Sequence, residues 1–336
     1  MSPGQKNIIL FLYKTITMKK IFTHIASFFY APVPKEMLGI FRVLVSGFAL
    51  LQLLVLLPDW GWLYGPKGLI PWEISDALST NGAPSLRTVS SVFGLSQNIT
   101  VYIITTIYFL SLGGLFIGYK TRYMAAVAWL MHLIINTTGN LTAYGVETFT
   151  HIALFYCMVL PVGVSLSLDA RKKICRVPGY LITLSVRVIQ LHLCIMYLAC
   201  GIEKAMGEQW WNGEAIWIAM QQDQFHHFNI NWMAQFTLIP KLLCWGTLLL
   251  ETFYPVAIFF SKTKRLWLAG IISMHLFIAV FLGLHLFGLL MMLLNISAFG
   301  LPYYGASIKT ILKRCKLSIQ YIKTFTVIKR KSALYP

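Results

Sequence analysis

Apolar residues in this chain come in long runs, not in the narrow stripes of helices that cover a water-soluble core. Eight runs stand out, near 37–57, 98–118, 123–138, 150–167, 180–201, 236–260, 265–283 and 284–302. Each is close to the ~20 residues that a helix needs to cross a bilayer. The pattern predicts an all-α integral membrane protein, a polytopic bundle of about eight transmembrane helices. It divides the chain into a basic N-terminal segment (1–35), a transmembrane domain (36–305) and a basic tail (306–336). The third run is short. The last two meet at Gly283-Leu284-His285, which fits either a tight hairpin or one broken helix.

Composition agrees, with 57% hydrophobic residues, 12% charged residues and a mean hydropathy of +0.68. A net charge of +17 would point to nucleic acid in a soluble protein. Here the bases lie between apolar runs, so no nucleic-acid partner is implied. They also alternate. Lys6 to Lys35, Lys120 and Arg122, Arg171 to Arg176, Lys262 to Arg265, and Lys309 to Lys331 fall on one side, leaving the acid-rich loops on the other. By the positive-inside rule both termini are cytoplasmic, the protein sits in the cell's inner membrane, and membrane lipids are its first partners. The loop after residue 201 then faces outward.

Residues 1–30 lack a long apolar core with a small-residue cleavage site, so no removable signal peptide is expected, and Met18-Lys-Lys reads as a plausible start. Ser307 to Lys331 interleaves Ile and Leu with bases, as in an amphipathic helix on an anionic leaflet or in a disordered tail that enforces topology. The six cysteines form no Cys-x-x-Cys pair, which argues against a disulfide framework and against thiol-disulfide chemistry. His226-His227 with Asp223 resembles a solvated loop more than a metal site, because adjacent histidines point apart. No metal is expected. Between the first two runs, Asp59 to Trp72 is rich in Gly, Pro and aromatics. It suits an interfacial belt, or a flap over the mouth of a cavity.

Ionisable groups inside a bilayer cost on the order of 2.5–3.5 kcal/mol each at a helix centre, so each must be paired, snorkelled or used. They are Arg42, His132, His151, Arg187, His192, Glu203, Lys204, Lys241, Glu251, His275 and His285. The most informative stretch runs from Tyr197 through Gly201-Ile-Glu203-Lys204 to Trp210-Trp211-Asn-Gly213. At 100° per residue, Glu203 falls near His192 and Lys204 near Gln190. Glu203 and Lys204 diverge, so each seeks a partner elsewhere, with Glu251 or His275 the natural candidates. Lys204 reads either as an interfacial lysine snorkelling to water, or as a general base made available by apolar walls. His275 reads as a hydrogen-bonded core histidine, a proton shuttle or a residue that orients the base. Haem ligation by His132, His151, His192 and His275 would require pairing across helices at matched depth.

The same residues give the chain a resemblance to the membrane domain of vitamin K-dependent gamma-carboxylases and their bacterial relatives, the horizontally transferred transmembrane (HTTM) family. Three segments carry it over roughly residues 36–302: Phe41-Arg42 with Leu63-Tyr64-Gly65-Pro66-Lys67-Gly68-Leu69-Ile70-Pro71; Gly118-Tyr-Lys-Thr-Arg122 with Leu160-Pro161 and Ser165-Leu-Ser-Leu-Asp169; and Gly201-Ile-Glu-Lys204 followed by tryptophan and Gly213. The resemblance implies that Lys204 is a base that deprotonates a reduced quinone of the vitamin K type, with His275 assisting. It implies a carboxylase-like or hydroquinone-oxidising lyase. The carboxylases add a large lumenal portion, whereas this chain ends in a short basic tail, so protein gamma-carboxylation itself is not implied. A second reading makes the chain a non-enzymatic accessory protein for maturation or export of a secreted peptide. A transporter would call for inverted repeats or matched broken helices, and neither is apparent.

Overall fold

The computed structural model describes residues 28–78, 82–172, 177–225, 228 and 231–300. The chain divides into two compact units, 1–298 and 299–336, and the helical bundle belongs to the first. The expected tail helix, Met18, and the His226-His227 pair lie outside the described residues.

Among the described residues the fold is all-α. Each of the eight apolar runs forms a helix: α1 (Glu36–Leu56), α2 (Gln97–Ile117), α3 (Thr121–Thr138), α4 (Gly145–Val159), α5 (Gly179–Ala205), α6 (Leu238–Thr252), α7 (Lys264–Phe281) and α8 (His285–Asn295). α2, α3 and α4 pack in succession, α5 lies on α6, and α7 on α8. α1 touches α2, α4, α5 and α8 and is the central element.

The expectation of about eight spans is met in part. Four segments are long and apolar enough to cross a membrane: Glu36–Tyr64, Gln97–Ile117, Gly179–Ala205 and Lys264–Phe281. The shortfall has local causes. α6 stops after 15 residues because Pro255, four residues beyond Glu251, has no N–H to continue the ladder. α4 starts at Gly145 and ends at Val159. Pro161 breaks it, and residues 162–165 pack as a buried turn instead of extending the helix to 167. α3 is unbroken over its 18 residues, but His132, Asn136, Thr137 and Thr138 make it less apolar.

α7 and α8 form a tight antiparallel hairpin, which settles their relation. Gly283 takes the left-handed φ of 67° at the turn. A Cβ on Gly288 would lie 2.5 Å from the His275 carbonyl oxygen, so only glycine lets the two helices approach this closely.

Among the described residues, the turns at Lys35, Lys120 and Asp169 meet at one end. Arg42, fully buried, donates from Nη1 to the carbonyls of Leu115 and Phe116 and from Nη2 to that of Leu166 (2.5 Å). It thereby satisfies the open C-terminus of α2 and supports it with positive charge. Asp169 accepts from the N–H of Lys120 (3.0 Å) and from the N–H and hydroxyl of Thr121 (both 2.7 Å), capping α3. Burial pushes the Asp169 carboxyl up, but those hydrogen bonds and the charge of Arg42 outweigh it and hold the group below its ordinary value. Arg42 therefore meets the turns at 118–122 and 165–169 here in a structural knot.

Candidate functional site

Three residues one face apart on α5, Tyr197, Gly201 and Lys204, look toward α6 and α7. Gly201 sets the spacing. A Cβ there would sit 2.7 Å from the backbone nitrogen of Thr252 and 2.6 Å from its hydroxyl. The close approach lets Lys204 Nζ reach Glu251 Oε2 at 2.8 Å. Gly213, with φ of 93°, lies equally close to Lys241 on α6, so both glycines lay the Glu203–Gly213 stretch along that helix.

Lys204 lies in the last turn of α5, yet its side chain is turned inward onto Glu251. Its side chain is 26% exposed and that of Glu251 only 8%. Trp210 lies under the ammonium, its ring 5.5 Å from Nζ. The short helix Glu214–Gln221 closes over it, anchored by Met220 and Met233 against Ile239 and Phe277. Trp211 donates to the carbonyl of Ala205 (2.7 Å), and Trp245 donates to that of Trp211 (3.0 Å), fastening the stretch at both ends. Glu203 is exposed and takes no part.

Lys204, Glu251 and His275 line one cavity of about 250 Å³ between α5, α6, α7 and α8. Its other walls are largely apolar, with Phe149, Met196, Phe277 and Phe287 among them. Lys204 thus faces this cavity and Glu251.

His275 is held by a directed chain. Asn295 Nδ2 donates to the carbonyl of Met291 (2.8 Å), which fixes the amide orientation. Asn295 Oδ1 accepts from the Tyr254 hydroxyl (2.6 Å), and Nδ2 donates to the Tyr197 oxygen (2.7 Å). The Tyr197 hydroxyl lies 2.8 Å from His275 Nε2. With its oxygen already accepting from Asn295, Tyr197 has its own proton to give to Nε2. An imidazole whose Nε2 accepts carries its proton on Nδ1, a buried nitrogen with no hydrogen-bond partner among the described residues.

The remaining polar residues of the apolar runs disperse. His192 pairs with the Tyr156 hydroxyl (2.5 Å), and Gln190 with Arg187 (2.7 Å) and the Ala298 carbonyl (2.7 Å). His132 and His151 face each other through Nδ1 atoms 3.3 Å apart. No group of three or more metal-ligating side chains occurs among the described residues. The aromatic loop folds elsewhere: Trp60 donates to Thr105, Trp72 to the Tyr64 carbonyl and Ser75 to the Thr138 carbonyl. It covers the ends of α2 and α3, not the Lys204 cavity.

Sequence reasoning found Lys204, Glu251 and His275 but missed Tyr197, Tyr254 and Asn295. A signal existed for two of them. Tyr197 is seven residues before Lys204, and Asn295 interrupts the apolar run Met291-Met-Leu-Leu. The all-α architecture with four membrane-length helices defines the class of the protein. No protein-family model, curated protein or solved structure matches the chain.

Proposed function

We propose that the chain is a bacterial inner-membrane protein whose eight helices all lie in the bilayer, with both termini cytoplasmic, and that the Lys204 cavity is a proton-abstracting site for a reduced quinone of the vitamin K type. The observation that carries this is the meeting of Lys204, Glu251 and His275 in one largely apolar cavity. Its volume is a little below the roughly 300–1,000 Å³ of typical small-molecule sites. It therefore suits an aromatic ring, with any long hydrocarbon tail left outside among the helices.

The chemistry follows from two proton positions. Glu251, 2.8 Å from Lys204 Nζ, is the group that takes up the ammonium proton in this reading and leaves the Lys204 amine as base. That amine takes the hydroxyl proton of the bound ring, and the oxyanion that forms is met by the N–H at His275 Nδ1. The apolar walls keep water from the product.

Purified protein supplied with vitamin K hydroquinone and oxygen should oxidise it faster than buffer does. Lys204→Met should lose that activity, and Lys241→Met should keep it. Absence of oxidation by the native protein, or full turnover in Lys204→Met, would overturn the assignment.

The accessory-protein reading draws support from a separate observation, the exposed aromatics Trp62, Trp211, Phe228, Trp232 and Phe236 on the acid-rich side. Under that reading an exported peptide copurifies with Lys204→Met as with the native chain, and is lost from Trp211→Ala and Trp232→Ala.

A further inference from the structure

A larger cleft, about 740 Å³, opens at the basic end between α3, the end of α4 and the start of α5. Nothing in the Lys204 chemistry uses it. Its walls are chiefly apolar, including Val159, Val162 and a stripe on α5 formed by Leu181, Leu184 and Val188. Those three side chains remain 37–43% exposed and Val159 remains 50% exposed, so this wall is left open among the described residues. The rim has a different character. Lys120 and Arg122 line it and are exposed, and Arg171 and Lys172 follow on the adjoining turn. The one acid in the lining, Asp169, is held by its three hydrogen bonds to Lys120 and Thr121.

We infer that this cleft binds an anionic phospholipid, one acyl chain lying along Leu181, Leu184 and Val188 and the phosphate resting between Lys120 and Arg122. Charge complementarity selects the occupant. An apolar wall alone would suit any lipid chain, but two exposed bases at the mouth of such a wall suit one with a negative headgroup. The depth fits as well. α3 and α5 both begin at this end, so the bases stand at headgroup level while the stripe runs toward the bilayer interior. The inference rests on the proposed membrane placement, which resistance to alkaline carbonate extraction reads separately.

The test is native mass spectrometry of the full chain after exchange into equimolar phosphatidylglycerol and phosphatidylcholine. The native protein should retain phosphatidylglycerol in preference. Arg122→Glu leaves an acid in the first turn of α3, which a helix start favours. Lys120→Asn keeps a residue tolerant of the left-handed φ of 41° found there. Lys120→Asn should reduce the preference about fivefold, and Arg122→Glu, a change of two charges, by more than that. Leu184→Trp, with the charges intact, should reduce retention of both lipids by narrowing the cleft. Equal retention of the two lipids by the native chain, an unchanged preference in the charge variants, or a cross-link from the protein's own tail to position 184 would each overturn the proposal.

Discussion

At the scale of single residues, Gly201 does more than end a motif. The atoms that a side chain there would meet belong to the Thr252 backbone as well as its hydroxyl, and backbone cannot step aside. Gly201→Val should therefore push α5 from α6, at a cost of about 1–3 kcal/mol for overpacking. The Lys204–Glu251 bond should stretch with it. Thermal unfolding in detergent reads the first effect and hydroquinone oxidation the second. A variant that unfolds like the native protein and keeps its turnover would show that the close approach is unnecessary. The same scale separates the two residues at the end of α5. Glu203 and Lys204 are equally polar in sequence, yet one rotation of 100° leaves the first exposed and turns the second onto Glu251.

At the scale of elements, the knot at the basic end is held by side chains that complete helix termini. Asp169 caps α3 and Arg42 closes α2. A carboxyl held below its ordinary value in the fold contributes stability that is present above its unfolded value, near 4, and is lost as pH falls through the folded value. Resistance to thermal unfolding should thus be flat in this contribution from pH 7 to 5 and decline below about 4. Asp169→Asn should be less stable at pH 7 and should lack this part of the acid decline. An equally steep decline in the variant would assign it to other carboxyls. α6 shows how one residue reshapes an element. Pro255 turns an apolar run that reads as a full span into a 15-residue helix ending beside Glu251, which places the carboxylate deep among the helices.

At the scale of the whole molecule, the alternation of charge along the chain reappears as a common basic end. Ser165 bonds the Lys35 carbonyl, Asp169 bonds Lys120, and Arg187 reaches the Phe28 carbonyl. Eight crossings with cytoplasmic termini follow from that arrangement as a prediction. In a background without native cysteines, Lys67→Cys should react with a membrane-impermeant maleimide on intact cells, and Lys172→Cys should react only after lysis. Labelling of both on intact cells would refute this topology.

The sequence by itself determined the all-α class, the eight helical runs, the alternation of basic and acid-rich loops and the short roster of polar residues with Lys204, Glu251 and His275 among them. These follow from local hydrophobicity and from the cost of an unpaired charge among apolar neighbours, both readable one segment at a time. Only the tertiary structure decided which of those residues meet. Lys204 and Glu251 stand 47 residues apart in the chain, and their pairing depends on a glycine contact between the two helices. The Tyr254–Asn295–Tyr197–His275 chain joins four helical segments through hydrogen bonds that leave no periodic trace. Packing also moved the aromatic loop away from the cavity and brought Glu214–Gln221 over it, because their orientation depends on distant partners.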